Sequence, residues 1–155
     1  MARFEDDIDV DVPVNVAYDQ WTQFESFPEF MDGVESVRQG NDRTLTWVAS
    51  IAGRSKEWTA EITDQTPSKR VAWKSVSGAK NAGAVLFESL GANRCRVSLT
   101  LEVDPDGIVE TAGANLGVLE AQVKGDLERF KQFIEQRRVP TGAWRGEIHG
   151  DEVRS

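Results

Sequence analysis

The chain has 155 residues, and its 18 Lys and Arg against 26 Asp and Glu give a net charge of −8. This length predicts one domain with a buried core, while the acidic balance disfavours binding to nucleic acid or to anionic membranes. The single cysteine, Cys95, excludes an internal disulfide, and the chain has neither the roughly 18-residue apolar run of a membrane helix nor a targeting-type start, so we expect a cytoplasmic protein without stable membrane insertion.

The N-terminal segment predicts a strand followed by two short helices. Residues 4–12 alternate between apolar and acidic side chains, which is typical of a half-buried strand, and Pro13 ends the pattern. We expect Pro28 to begin a second short helix, since proline is favoured in a first helical turn, and Gly33 to end it. The first helix is predicted from apolar residues at helical spacing, namely Val14, Ala17, Trp21 and Phe24.

Six further strands are predicted between residues 34 and 104. Turn-forming clusters such as Gly-Asn-Asp, Pro-Ser-Lys and Gly-Ala-Asn separate short segments rich in β-branched and aromatic residues, which indicates an antiparallel meander. In the last strand Cys95 shares a face with Val97, so we expect a buried and inert thiol. The predicted strands cover residues 34–39, 44–51, 55–64, 70–76, 82–90 and 94–104.

A long helix is predicted after the turn at residues 104–107. Apolar residues recur at steps of three and four with charges between them, at Leu116, Leu119, Val123, Leu127, Phe130 and Ile134. A helix of about 30 residues would be roughly 45 Å long, enough to cross a whole sheet. The domain is expected to span residues 1–138, and residues 139–155 are expected to form a polar, loosely held tail in which Trp144 and Ile148 are the possible anchors.

This order of elements predicts an α+β fold with a curved antiparallel sheet of about seven strands wrapped around the long C-terminal helix. A twisted sheet of that size curls, and a curled sheet packed on one helix leaves a space between them.

Four segments of the chain resemble the START-like superfamily with its helix-grip fold. They are VDVPVNVAYDQWTQFESFPEFM, VASIAGRSKEWTAEIT, RVAWKSVSGAKNAGAVLFESL and DLERFKQFIEQR, in an order that spans about residues 5–138. Within that superfamily the chain is similar to the polyketide cyclase/dehydrase group, which includes the coenzyme Q-binding Coq10-like proteins. The resemblance implies a hydrophobic pocket between sheet and long helix, in a superfamily whose members bind lipids, sterols, quinones and polyketides and only in part are enzymes.

Candidate ligand-binding residues come from three parts of the predicted fold. Phe30 and Met31 are expected at the rim of the pocket, whereas Phe24 and Phe27 are expected to hold the helices to the sheet. Strand residues with small neighbours on the same face could line the pocket, and helix glycines could leave room for a ligand. These further candidates are Trp58, Trp73, Phe87, Ala112, Gly113, Leu116 and Leu119. For each of them the alternative is ordinary core packing.

No catalytic or metal-binding set is recognisable in the sequence. The one histidine, His149, lies in the polar tail, and one histidine with one cysteine does not make a usual zinc site. No phosphate-binding loop or dinucleotide motif is present, so no cofactor is predicted. Tyr18, Glu61 and Glu88 are the titratable residues that could face a pocket.

Three functions remain open from the sequence. The first is a non-catalytic binding or carrier protein for a hydrophobic small molecule such as a lipid, quinone or polyketide. The second is a cyclase- or dehydratase-type enzyme, which would need an inward-facing titratable residue with a perturbed pKa. The third is an interaction or stress-response module, which predicts an exposed apolar patch and no cavity.

Overall fold

The computed structural model describes residues 2–51, 54–103, 116–150 and 152–154. The predicted α+β fold is confirmed, with two short helices after the first strand and a long helix after the seventh. The first part of the predicted long helix lies outside the described residues. In chain order the elements are β1 (Ala2–Val10), α1 (Val14–Trp21), a 3₁₀ helix (Phe24–Glu29), β2 (Val34–Gln39), β3 (Thr44–Ile51), β4 (Arg54–Thr66), β5 (Arg70–Gly78), β6 (Asn81–Gly91), β7 (Arg94–Val103), α2 (Leu116–Arg137), β8 (Glu147–His149) and β9 (Glu152–Arg154).

The strands form one curved antiparallel sheet with the order β1-β7-β6-β5-β4-β3-β2. Neighbours in sequence pair from β2 to β7, and β1 pairs with β7 through registers such as Ile8 opposite Val97. Within the described residues the sheet has nine strands rather than about seven, because β8 pairs with β4 and β9 pairs with β8. The two additional strands are only three residues long each, too short to give a readable alternation.

The C-terminal tail is bound to the domain rather than loosely held. Ile148 in β8 lies opposite Gln65 in β4 and is fully buried. Thr141 donates its N–H to the Gln20 Oε1 at 2.9 Å, and the Gln20 Nε2 donates to the Thr141 hydroxyl at 3.0 Å. One buried isoleucine and a few hydrogen bonds thus fix a segment whose composition is polar and glycine-rich.

The turn after α1 is a 3₁₀ helix that begins at Phe24, not a helix that begins at Pro28. Pro28 is the fifth of its six residues. The N–H groups of Phe30 and Met31 both donate to the Phe27 carbonyl, at 3.1 and 2.8 Å, which closes the turn after the proline. So short a helix tolerates proline because few of its N–H groups have an intrahelical acceptor to lose.

Of the predicted inward residues of α2 whose side chains are described, Val123 is half-buried and the other three are buried. Leu127, Phe130 and Ile134 are at most 2% exposed. Cys95 and Val97 on β7 are fully buried. Among the described residues, no helix combines the length and the apolar character needed to cross a lipid bilayer.

Candidate functional site

A cavity of about 160 Å³ lies between the concave face of the sheet, the 3₁₀ helix and α2. Its walls are almost wholly apolar. Six aromatic side chains line it: Trp21, Phe24, Phe27, Trp47, Trp58 and Trp73. Aliphatic side chains fill the space between them, and Asn81, Gln122 and Asp126 are the polar lining residues in the part of the chain that the structure describes.

One wall of the cavity is a continuous row of aromatic rings. The ring centroids of Trp21 and Phe27 are 5.2 Å apart, and those of Phe27 and Trp47 are 5.6 Å apart. Trp47 and Trp58 are opposite each other on β3 and β4, and their rings are parallel to within 8° with centroids 5.8 Å apart. This row, which we call the aromatic wall, is defined by Trp21, Phe27, Trp47 and Trp58.

Trp73 lines the cavity from β5, and β6 fixes its position. Its indole N–H donates to the Asn81 Oδ1 at 3.2 Å, while the Ser75 hydroxyl accepts the Asn81 backbone N–H at 3.0 Å. Gly83 is its cross-strand partner, and a Cβ at that position would lie 2.6 Å from the Trp73 Cζ2. The absence of a side chain at Gly83 therefore lets the indole lie flat across β6.

A cluster of charges lies where α2 meets the segment after the 3₁₀ helix. Arg129 makes an ion pair with Asp126, donates its Nε–H to the Phe30 carbonyl at 3.3 Å and lies 3.4 Å from Asp32. The Asp126 side chain is 17% exposed, and its burial raises the pKa of the carboxyl, although Arg129 acts in the opposite direction. Among the described residues, Asp126 is the titratable side chain that lines the cavity.

Sequence reasoning missed Asp126, although its position carried a signal. Asp126 lies three residues after Val123 and beside Leu127, so helical spacing places it on the inward face. A carboxylate on an amphipathic helix with many charges is usually exposed to solvent, so the sequence pattern did not single out Asp126.

Three of the predicted ligand-binding residues line the cavity: Met31, Trp58 and Trp73. Trp47, which was not among the predicted residues, lines it too. The other predicted residues on the helix cannot be compared. Leu116 and Leu119 belong to α2 but their side chains are not described, and Ala112 and Gly113 lie outside the described residues.

Phe30 does not lie at the cavity rim. It is 2% exposed and packs among aromatic rings, with centroids 5.3 Å from Phe130 and 5.2 Å from Phe133. The next residue, Met31, turns toward the cavity instead. The reason is the tight turn after Pro28, which points consecutive side chains in different directions and was not predictable from composition.

Phe87, which was predicted to line the pocket, lies elsewhere. It is buried beneath α1, where its ring meets the edge of the Tyr18 ring at a centroid distance of 5.3 Å. Phe24 and Phe27, in contrast, line the cavity as well as packing the 3₁₀ helix against the sheet.

The titratable candidates from the sequence lie elsewhere. Tyr18 is fully buried outside the cavity, and burial raises its pKa to about 12. Glu61 pairs with Arg43 at 3.5 Å, and Glu88 is exposed. His149 lies between two carboxylates, 3.0 Å from Asp64 on β4 and 3.2 Å from Glu147 on its own strand β8.

Comparison with known proteins shows which family the chain matches and which solved structures share its fold. Residues 10–135 match the family described as polyketide cyclase / dehydrase and lipid transport. The chain is 50% identical over 149 residues to an uncharacterized 17.2 kDa protein from the melC2–rnhH intergenic region of Streptomyces lincolnensis, which covers 96% of this chain and 99% of that protein.

Two solved structures show the same fold. The Zhui aromatase/cyclase from Streptomyces sp. R1128 is 17% identical, with a TM-score of 0.71 over 92% of this chain and 99% of that one. A START superfamily protein from Mycobacterium smegmatis is 14% identical, with a TM-score of 0.65 over 87% of this chain and 95% of that one. The START-like, helix-grip fold predicted from the sequence is confirmed.

Proposed function

Since this chain belongs to the polyketide cyclase / dehydrase and lipid transport family, we propose that it binds a small hydrophobic molecule in the cavity between the sheet and α2. The observation that carries the proposal is the cavity itself, with its row of aromatic rings and its few polar groups. Mostly apolar lining with a few placed polar groups is typical of ligand sites. The same observation counts against an interaction module, because that function predicted a collapsed pocket.

The volume of the cavity limits the size of the ligand that it can hold. Its volume of about 160 Å³ is close to that of engineered cavities, about 150 Å³, that bind benzene. It is below the roughly 300–1,000 Å³ of sites for drug-sized molecules. The cavity as it stands therefore suits a compact one- or two-ring compound better than an extended acyl chain.

The test is native mass spectrometry of the purified protein, followed by organic extraction and identification of what it carries. A stoichiometric polyketide, quinone or other ring compound supports the proposal. If nothing is bound and no compound from a panel of small aromatic molecules binds, the proposal is wrong.

A matched pair of variants ties binding to the cavity. Leu99→Trp places a larger side chain into the cavity from β7, and it should abolish binding. Leu86→Trp makes the same change on the outer face of β6, where Leu86 is 48% exposed, and it should leave binding unchanged. Equal effects of the two variants would show that the ligand binds elsewhere.

A cyclase- or dehydratase-type enzyme is the second candidate, and Asp126 is the observation that favours it. A carboxylate with a raised pKa in an apolar cavity is a stronger base than one in water, and it can accept a proton from a carbon next to a carbonyl group. Arg129 would keep the carboxylate oriented. Asp126→Asn should then abolish turnover of a poly-ketone substrate but preserve its binding, whereas loss of both would leave Asp126 with a role in binding alone.

A further inference from the structure

A second space, which we call the polar groove, lies between the end of α1, the 3₁₀ helix, the β2–β3 turn and the C-terminal tail. Its volume is about 520 Å³, within the roughly 300–1,000 Å³ of ordinary small-molecule sites. Phe24 is the one described residue that lines both the polar groove and the cavity, so its ring separates the two spaces. The aromatic and the exposed polar residues that line the groove are Phe24, Trp144, Glu25, Gln39, Asn41 and Asp42.

Trp144 brings an aromatic ring from the tail to the groove, and its place is fixed. Its backbone N–H donates to the Thr22 Oγ1 at 3.1 Å, and the chain before it is held by the hydrogen bonds between Gln20 and Thr141. A Cβ at Gly146 would collide with the Trp144 ring, so the indole packs directly on the glycine backbone. The ring is half-buried and lines the groove, which is therefore formed before any ligand arrives.

The exposed polar groups of the groove are two carboxylates and two amides. The Glu25 Oε2 accepts the Gln39 backbone N–H at 3.2 Å, which leaves the Glu25 Oε1 as an acceptor. The Asn41 Oδ1 accepts two backbone N–H groups of the turn, at 2.8 and 2.9 Å, which leaves the Asn41 Nδ2 as a donor. Within the described residues the Asp42 side chain makes neither an ion pair nor a hydrogen bond, and no Lys or Arg lines the groove.

An uncharged molecule with several hydroxyl groups matches this set of partners. Each hydroxyl both donates and accepts, so neighbouring hydroxyls pair with a carboxylate and with an amide at the same time. The C–H face of such a ring is apolar and packs on an indole. The two carboxylates repel an anion, and an apolar ring would cover four polar side chains without pairing them. An organic cation would pair with the carboxylates but offer no acceptor to the amide N–H groups.

We propose that the polar groove is a second ligand site, which binds a molecule of the sugar or cyclitol class on the Trp144 ring through the carboxylates of Glu25 and Asp42. The Asn41 amide donates to a further hydroxyl of the same molecule. This inference goes beyond the proposed function and does not depend on it, because among the described residues the two spaces share only Phe24. Binding at each site is therefore measured separately.

The first experiment is an ¹⁵N–¹H spectrum of the full chain, titrated with methyl β-D-glucoside and separately with myo-inositol. At least one of these polyols should shift the Trp144 indole signal and the Asn41 side-chain amide signals saturably. The indole signals of Trp47 and Trp58 should keep their positions, because those rings line the cavity. Cyclohexylammonium is the cationic probe and inorganic phosphate the anionic one, and neither should reproduce the shifts.

Three variants assign the binding to particular side chains. Glu25→Gln and Asp42→Asn each change an exposed carboxylate to an amide of the same shape, so the fold is kept. Each should raise the Kd of the polyol about three- to tenfold, the effect of one net hydrogen bond. Glu29→Gln is the matched control, because Glu29 is exposed on the same 3₁₀ helix but does not line the groove, and its Kd should be unchanged.

Four outcomes would overturn the inference. They are the failure of both polyols to bind, equal Kd values for the three variants, shifts of the cavity indole signals in place of Trp144, and shifts of Trp144 with cyclohexylammonium alone. The last outcome would make the groove a cation site. None of them bears on the proposed function, which the titration with small ring compounds tests by itself.

Discussion

Replacing Phe30 with alanine tests the assignment of neighbouring side chains to core and cavity. From the sequence, Phe30 belonged to the rim, so its loss would alter ligand uptake more than stability. The structure predicts the opposite, because the ring is 2% exposed and packed between α2 and the 3₁₀ helix. Its neighbours on α2, Phe130 and Phe133, cannot close the gap without moving the helix.

The magnitude follows from that packing. Truncating a buried phenylalanine to alanine costs about 3–5 kcal/mol in the free energy of unfolding. For a chain of this length about 1 kcal/mol corresponds to roughly 2–4 °C, so the Tm of Phe30→Ala should fall by roughly 6–20 °C. The affinity of the folded fraction for a bound ring compound should change by less than about threefold, since Phe30 does not line the cavity.

The assay combines thermal unfolding with calorimetric binding below the transition. Met31→Ala is the matched control, because Met31 is the adjacent residue and lines the cavity, and its affinity should change by more than that of Phe30→Ala. Phe30 belongs to the rim after all if Phe30→Ala unfolds within about 2 °C of the unmodified protein and loses its ligand.

Three further predictions follow from particular contacts. Gly83→Ala should destabilise the protein by about 1–3 kcal/mol and shift the indole signal of Trp73, because the new Cβ would lie 2.6 Å from the ring; an unchanged Tm and spectrum would contradict this. His149 has a raised pKa, chiefly from its hydrogen bond to Glu147, so its stabilising effect should be complete below about pH 6.5 and disappear as the pH rises through the raised value. The Tm difference between the unmodified protein and His149→Gln should therefore be larger at about pH 6 than at about pH 9, and a constant difference would disprove it. Burial raises the pKa of Cys95 to about 11, so a thiol reagent at neutral pH should modify it only after unfolding in denaturant.

The order of the elements and the inward faces of the long ones could be predicted from the sequence because their signals are local. Alternation along residues 94–103 identified the buried face of β7, including Cys95, and helical spacing identified Leu127 and Phe130. Each of these patterns repeats over several turns or residue pairs, so one exception does not hide it.

The cavity lining was decided by contacts between distant parts of the chain. Phe30 and Met31 are adjacent and both apolar, yet the turn after the 3₁₀ helix sends one into the core and the other to the cavity. Asp126 is one charge among several on α2, and only the folded chain buries it at the cavity beside Asp32.

The structure of the C-terminal tail also depends on contacts with distant parts of the chain. Its strand β8 pairs with β4 at Asp64 and Gln65, beyond Glu61 where the pairing of β4 with β3 ends, and Ile148 is buried there. Neither the partner strand nor the buried place is visible in the tail itself. The sequence by itself determined the longer elements, which are β1 to β7, α1 and α2, because their secondary structure follows the periodicity of neighbouring residues. Only the tertiary structure decided which side chains enclose the cavity, because enclosure depends on how elements far apart in the chain pack against one another.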